Sequence, residues 1–155
     1  MRSIRPFSGI DVISLLPSSS SRRPSFVPMI RRALLSVSDK TGIADFARGL
    51  QKKNIDMIAT DGTTKMLRAE GLPVQTIEEV THFPECFSGR VKTIHPLITG
   101  GILFQRGDKQ HEAQAKHLSI EPIDLVLVNL YPFKVTVESG ATDTDVIEKI
   151  GRAHV

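Results

Sequence analysis

Residues 33–50 read ALLSVSDKTGIADFARGL, which is the pattern of a strand, a turn and a helix. Residues 33–37 are a short apolar run that ends at a polar turn, as is typical of a buried parallel strand. After the turn at 38–42, apolar side chains recur at helical spacing: Ile43, Phe46, Ala47 and Leu50. This unit predicts an architecture in which a helix follows a strand of a parallel sheet.

The same unit repeats farther along the chain. Residues 55–59 predict a second strand and residues 60–64 a turn, and the helix that follows is stopped by Gly71. Farther on, the sequence predicts a short strand at 73–77 and an irregular stretch at 81–101. A polar helix at 109–119 and the most apolar strand of the chain at 123–130 follow. This alternation predicts an α/β fold with a parallel sheet flanked by helices and right-handed crossovers.

The composition limits the class of protein. A chain of 155 residues that is 40% hydrophobic and 24% charged is the size of one domain, and no run approaches the roughly 20 apolar residues that span a bilayer. Cys86 has no second cysteine to pair with, and the histidines lack the i,i+4 spacing of metal ligands, so we expect no metal site. Aromatic residues make up 5%, which leaves little for stacking on bases. We therefore expect neither a membrane nor a nucleic-acid partner.

The amino-terminal segment differs in charge from the rest of the chain. Residues 1–32 contain six arginines and one aspartate, a net charge of +5, while the whole chain carries +3, so residues 33–155 carry −2. Residues 1–29 are rich in Ser and Arg and predict a disordered leader. The open alternatives are a plastid or mitochondrial transit peptide, a stretch before a true start at Met29, and a plain tail, with a cytoplasmic location in the last two cases. We place the folded domain at 30–149 and interpret 150–155 as a non-native tail.

The turns after the strands are the candidate binding sites, since ligands of open parallel sheets bind beyond the carboxyl ends of the strands. The turn at 36–42 combines hydroxyls, Lys40 and backbone N–H groups at a helix N-terminus, which suits an anion. The turn at 60–65 is similar, and Gly62 lets backbone approach a ligand closely. Two such turns point to a phosphate. The alternative is that their polar residues are only helix caps, and neither turn has P-loop or dinucleotide-fingerprint spacing.

A basic segment, GRVKTIHP at 89–96, offers a second kind of chemistry. We expect it to be extended, so that Arg90 and Lys92 face the same way and suit an anion or a developing oxyanion. The alternative is a solvated basic loop in which His95 is a structural histidine.

The segment NLYPF at 129–133 follows the most apolar strand. A strand that we expect to be buried delivers Asn129 and Tyr131 to the carboxyl edge of the sheet before Pro132 stops it. A carboxamide and a phenol suit recognition of a heteroaromatic amide. The alternative is that both side chains only satisfy buried backbone groups.

Several motifs, taken together and in order, resemble those of a known enzyme family. They are SVSDKTG, GRVKTIHP, GGIL, EPIDLV and NLYPF, at 36–42, 89–96, 100–103, 121–126 and 129–133. They resemble the amino-terminal domain of the bifunctional phosphoribosylaminoimidazolecarboxamide formyltransferase and IMP cyclohydrolase of purine biosynthesis, over about residues 30–149. The resemblance implies a methylglyoxal-synthase-like fold and the last step of IMP synthesis, in which a carboxamide nitrogen attacks the formyl carbon of the same ribonucleotide and water leaves.

The resemblance also implies roles for particular residues. It implies substrate binding, with IMP as the product ligand, at the following positions: Ser38, Asp39, Lys40, Thr60, Asp61, Gly62, Thr63, Arg90, Val91, Lys92, Thr93, Asn129 and Leu130. Catalytic roles fall to Lys92 beside the formyl group, to Tyr131 near the closing ring, and to Arg90. No metal or organic cofactor is implied for this half, since 10-formyltetrahydrofolate would belong to the transformylase half. Family members are homodimers as a rule, so we expect self-association.

Two departures from the family pattern bear on function. The family usually has glycine where this chain has Asp61, which puts a carboxylate beside the expected phosphate site. After Ile150 the family continues with Asp-Ile-Gly-Gly and a catalytic lysine, whereas this chain reads GRAHV, so we expect a truncated domain with little or no turnover. Two other hypotheses stay open: a non-catalytic module for a purine nucleotide or phosphate, and a methylglyoxal synthase with Asp39 or Asp61 as its acid–base group.

Overall fold

The computed structural model describes residues 29–89, 91–130 and 132–152. Apart from Met29, the predicted leader lies outside the described residues, as do the last three residues of the predicted tail. The described helices, strands and one 3-10 turn follow in this order: β1 (Arg32–Ser36), α1 (Ile43–Gln51), β2 (Asp56–Ala59), α2 (Asp61–Ala69), β3 (Gln75–Thr76), α3 (Ile77–Thr81), the 3-10 turn (Phe87–Gly89), α4 (Pro96–Leu103), α5 (Lys109–His117), β4 (Leu125–Val128), α6 (Phe133–Glu138) and α7 (Asp143–Arg152). In this described part, no helix is both long enough and apolar enough to cross a bilayer.

The four strands form one parallel sheet in the order β3, β2, β1, β4. Strand β1 lies in the middle, where Leu35 pairs with Ala59 of β2 on one side and with Leu127 of β4 on the other. Strand β3 is short and pairs with β2 through Gln75 and Thr76. All pairs run parallel and helices connect the strands, so the predicted α/β class is confirmed.

Alternate residues of β1 contribute to two apolar layers, one on each face of the sheet. Leu35 packs in a layer that includes Ile43 of α1 and Leu67 of α2. Leu34 points the opposite way, into a layer formed with four isoleucines: Ile58, Ile77, Ile98 and Ile123. Burial of one such side chain contributes about 1.5–3 kcal/mol. The two layers therefore fix the sheet between its helices and hold its carboxyl edge in place.

The predicted turn at 60–64 is wrong in its extent. Helix α2 begins at Asp61, because the carbonyl of Thr60 accepts hydrogen bonds from the N–H groups of Thr63 and Thr64, both at 2.8 Å. The turn is therefore reduced to Thr60, and the polar residues after it lie in the first turn of the helix.

The predicted irregular stretch at 81–101 is also wrong at its end, where α4 occupies Pro96–Leu103. Proline at the first helical position has no N–H to leave unsatisfied, and His95 Nδ1 accepts the N–H of Leu97 at 3.2 Å. His95 thus acts as a helix cap, which is a structural role.

The expectation of a buried strand at 123–130 is wrong in two respects. Strand β4 covers only Leu125–Val128, and it lies at one edge of the sheet that the structure describes. Val126 is 37% exposed and Val128 is 51% exposed, whereas Leu127 is buried. An apolar run predicts a strand, but its burial depends on whether a neighbour covers it.

Candidate functional site

The turn after β1 and the end of β4 are joined by the side chain of Asn129. Its Oδ1 accepts the N–H groups of Ser38 at 2.6 Å and Asp39 at 3.2 Å, and its Nδ2 donates to the carbonyl of Asp39 at 2.8 Å. These three contacts bring residues from opposite parts of the sequence to one edge of the sheet. They also engage the carboxamide with backbone, which favours the structural alternative for Asn129 over direct recognition of a ligand.

The turn after β1 is shaped by Asp39. Its Oδ1 accepts the backbone N–H of Thr41 at 2.9 Å and the hydroxyl of Thr41 at 2.7 Å, and these hydrogen bonds lower the pKa of the Asp39 carboxyl. Gly42 then takes a positive φ of 74°, which suits glycine, and α1 begins. Lys40 folds back so that its Nζ donates to the carbonyl of Ser38 at 3.4 Å.

The first turn of α2 lies beside Lys40. A Cβ on Gly62 would be 3.8 Å from Lys40 Nζ, so glycine leaves the ammonium close to the helix backbone. The Thr60 hydroxyl donates to Ser36 Oγ at 3.4 Å, which ties this turn to the end of β1. A cation beside the N–H groups of a helix N-terminus is an arrangement that binds anions.

Thr63 and Thr64 are buried and have structural contacts. Thr63 Oγ1 accepts from the N–H of Val37 at 3.4 Å and lies 3.3 Å from its carbonyl, to which it donates. Thr64 Oγ1 donates to the carbonyl of Ala59 at 2.9 Å. Both hydroxyls therefore fasten α2 to the sheet. Because the backbone N–H of Thr63 donates to the carbonyl of Thr60, the contacts favour a structural role for Thr63 over the predicted ligand role.

Lys92 is held between two carboxylates. Its Nζ forms ion pairs with Asp61 of α2 and with Glu85, the latter at 3.0 Å. Burial alone would lower the pKa of Lys92, but the hydrogen bonds and charges of Asp61 and Glu85 outweigh it and raise the pKa. The hydrogen bond from Lys92 is likewise the main reason why the pKa of Asp61 is lowered. Lys92 is therefore an ammonium and Asp61 a carboxylate at neutral pH.

Gly89 makes this arrangement sterically possible. Its φ is +80°, which L residues rarely adopt, and a Cβ there would lie 2.4 Å from Lys92 Cε. The lysine stem thus occupies the space that any other side chain would need.

A cavity of about 270 Å³ opens beside Lys92. Most of its wall is apolar, and its charged groups come from Asp61, Glu78, Glu85 and Lys92. The ring of His95 also lines the cavity, and its centroid lies 6.2 Å from that of the Phe83 ring. The remaining lining residues are Ile77, Thr81, Phe83, Pro84, Cys86, Phe87, Val91 and Ile94. An apolar wall with a few polar groups suits a planar ring that carries hydrogen-bonding atoms.

Several predicted site residues form a series of neighbours. Asn129 bonds to the backbone of Ser38 and Asp39, Lys40 Nζ lies 3.8 Å from the position that a Cβ on Gly62 would take, and Asp61 pairs with Lys92.

Other predicted residues lie apart from this series, and one expectation about their backbone is wrong. Leu130 is 67% exposed, and Thr93 is half-buried. The extended conformation expected around Lys92 is wrong for Val91–Thr93, which form a turn closed by the N–H of Ile94 on the carbonyl of Val91 at 3.2 Å.

Arg90 and Tyr131 lie outside the described residues. Their roles therefore stay predictions from the resemblance.

Two residues of this site were missed from the sequence. Glu85 comes from the segment expected to be irregular, where nothing in the pattern links it to Lys92. Gly89 stands at the start of the GRVKTIHP motif, and a glycine before two cations is a signal that could have been used. Among the residues that the structure describes, no three His, Cys, Asp or Glu side chains are grouped as metal ligands would be.

Comparison with known proteins assigns the chain to a family. Residues 42–151 match the family described as MGS-like domain. The bifunctional purine biosynthesis protein PurH of Bartonella henselae is 54% identical over 121 residues, which cover 78% of this chain and 22% of that protein. The PurH of Ruminiclostridium cellulolyticum is 51% identical over 117 residues, covering 76% of this chain and 23% of that protein.

The solved crystal structure of ForH is similar as well, with 34% sequence identity and a TM-score of 0.60, and the match covers 66% of this chain and 53% of that one. The chain spans about a quarter of the length of the PurH relatives. The match to the family over residues 42–151, together with the parallel sheet, shows that this chain belongs to the MGS-like domain family.

Proposed function

We propose that this chain binds a purine ribonucleotide at the carboxyl edge of its sheet and contributes the IMP cyclohydrolase reaction of a PurH-type enzyme. The observation that carries the proposal is the adjacency of Lys40, Gly62 and Lys92 around the first turn of α2. The identity of 51–54% with PurH proteins over three quarters of the chain supports the choice of ligand.

The phosphate of the nucleotide is placed at the first turn of α2. The first N–H groups of a helix have no carbonyl partner within it, so those of Asp61 and Gly62 would bind the phosphate, and Lys40 supplies a positive charge next to Gly62. A carboxylate at Asp61 opposes an anion here, so the binding energy comes from the N–H groups and from Lys40.

The base is placed in the cavity beside Lys92. Ring closure forms a bond between the carboxamide nitrogen and the formyl carbon of the same molecule, and the formyl oxygen leaves as water after proton transfers. Because both groups belong to one substrate, holding them in a reactive conformer supplies much of the acceleration. The ammonium of Lys92 would stabilise negative charge on the formyl oxygen. Its raised pKa keeps it charged for this role, and the same shift makes it a weak proton donor and rules it out as a general base.

The methylglyoxal synthase hypothesis is less well supported. It needs Asp39 or Asp61 as an acid–base group, and the pKa of each is lowered, by hydrogen bonds from Thr41 and from Lys92 respectively. A strongly ionised carboxylate is a weak base for abstracting a proton from carbon.

The experiment is calorimetry of the full chain with IMP and with inorganic phosphate. We expect IMP to bind at least tenfold more tightly than phosphate, because the cavity adds contacts to the base. Lys40→Ala should weaken both ligands, while Lys116→Ala, on the exposed face of α5, should weaken neither. Equal affinity for IMP and phosphate would instead support a bare anion-binding module. Formation of IMP from the formamido ribonucleotide, followed by chromatography, tests the reaction itself.

A further inference from the structure

We propose that Asp61 determines whether this site prefers charged or neutral ligands, because its carboxylate pairs with the ammonium of Lys92 and lies in the helix turn where a ligand phosphate would bind. The inference rests on the proposed function, and it goes further by assigning a specificity role to one residue. Asp61 would weaken the binding of phosphate dianions relative to neutral ligands with the same base.

The position of Asp61 carries the first part of the argument. It is the first residue of α2, directly before Gly62, over which Lys40 Nζ lies. A negative group at a helix N-terminus is stabilised by the helix dipole and competes with any other anion for the same field. Unlike charges on a distant surface, this carboxylate would be next to the bound phosphate.

The contacts of Lys92 carry the second part. Among the described residues of this cluster, the two acidic side chains of Asp61 and Glu85 share the one ammonium of Lys92. Such a cluster offers little positive potential to a ligand until one carboxylate is displaced. The lowered pKa of Asp61 keeps its charge in place at neutral pH.

The residues around the Asp61–Lys92 ion pair hold the lysine side chain in place. Gly89 leaves the space in which the stem of Lys92 lies, and the Lys92 side chain is only 20% exposed. Within the part of the chain that the structure describes, the cations that act on Asp61 are Lys92 and, at longer range, Lys65, while Glu85 and Glu78 line the same cavity. Of these acidic residues, Asp61 is the one on α2, where the phosphate would bind.

The experiment measures the affinities of IMP and of inosine, which lacks the phosphate, by calorimetry at pH 7.5. In Asp61→Asn, we expect IMP to bind on the order of tenfold more tightly, since removal of one adjacent charge acts on a dianion. Inosine should change less than twofold, because it carries no charge. A purely structural role of Asp61 would shift both ligands together.

The matched control is Asp45→Asn, in the first turn of α1, where Asp45 pairs with Arg48 at 2.7 Å. It should change neither affinity. Asp61→Gly provides a second variant, and circular dichroism melting shows whether each variant is folded. An unchanged or lower ratio of IMP to inosine affinity in both Asp61 variants would overturn the inference. Failure of wild type and variants alike to bind IMP or inosine would overturn the proposed function itself.

Discussion

Strands β1 and β4 pair side by side in the sheet, yet they differ in how far their side chains are buried. In β1, Ala33, Leu34 and Leu35 are buried, so that the middle of the strand is covered on both faces. In β4, Val126 and Val128 are partly exposed, and none of the side chains described in α6 is buried. The segment Arg32–Ala69 forms most of the buried apolar layers, and the later segment completes them with Ile98, Ile123 and Leu127. The site residues of the later segment, by contrast, are held by individual polar contacts.

Those contacts come from a few side chains. Asp124 Oδ2 accepts the backbone N–H groups of Arg31 at 2.8 Å and Arg32 at 3.3 Å. Asn129 holds the turn after β1, and Lys92 reaches Asp61 of α2. The difference teaches that both segments share the apolar scaffold, while the site residues of the later segment depend on polar contacts that single substitutions can remove.

The largest difference is expected between a buried position of β1 and a half-exposed position of β4. Leu35→Ala should lower the free energy of unfolding by about 2–5 kcal/mol, because it leaves a cavity between α1 and the sheet. Val128→Ala should cost about 1 kcal/mol or less, since that side chain is half exposed. Urea unfolding followed by circular dichroism measures both. Similar losses at the two positions would break the comparison.

Two glycines should respond to alanine with opposite signs. Gly89→Ala should destabilise by about 1–3 kcal/mol, because an L residue is strained at its positive φ and its Cβ would collide with Lys92. Gly49→Ala, within α1 and with no atom near its Cβ position, should stabilise by about 0.5–1 kcal/mol. Thermal melting of both variants tests this, and a stabilising Gly89→Ala would be incompatible with the Lys92 geometry.

A smaller loss is expected at the link between β4 and the first turn. Asn129→Ala removes three hydrogen bonds to backbone and should cost about 1–2 kcal/mol, while amide exchange at Ser38 and Asp39 becomes faster. Asn129→Asp keeps the acceptor and should protect these two amides better than alanine does. Unchanged exchange in Asn129→Ala would show that the turn holds its own shape.

The smallest effect is the pH dependence of stability. The pKa values of Asp39 and Asp61 are lowered in the folded chain, so each contributes stability that is present above its ordinary value of 3.8 and is lost as the pH falls further. Urea midpoints between pH 6 and pH 2.5 should therefore fall, and less steeply in Asp61→Asn. The raised pKa of Lys92 acts only at the alkaline end, above 10.5. An identical acid slope in Asp61→Asn would argue against its ion pair with Lys92.

The sequence predicted best where structure is local. The apolar run at 33–37 and the spacing of Ile43, Ala47 and Leu50 led to β1 and α1, because a buried strand and an amphipathic helix each leave a pattern in consecutive residues. The sequence also placed Lys40 and Gly62 at one edge of the sheet, since parallel strands share their carboxyl ends.

The parts that sequence could not predict depend on neighbours in space. The ion pair of Lys92 with Glu85 and the backbone contacts of Asn129 each join segments whose separation in the sequence follows no period. The exposure of β4 depends on which elements cover it, which the residues of the strand do not record. The start of α4 was predictable in principle, because His95 before Pro96 is a cap followed by a favoured first residue.

A crystal structure of the full chain with IMP tests the central claim most directly. We predict the phosphate within hydrogen-bonding distance of the first N–H groups of α2 and of Lys40 Nζ, with the base in the cavity beside Lys92. IMP bound elsewhere, for example in the groove lined by Asn54, Asp56 and Arg68, would contradict it.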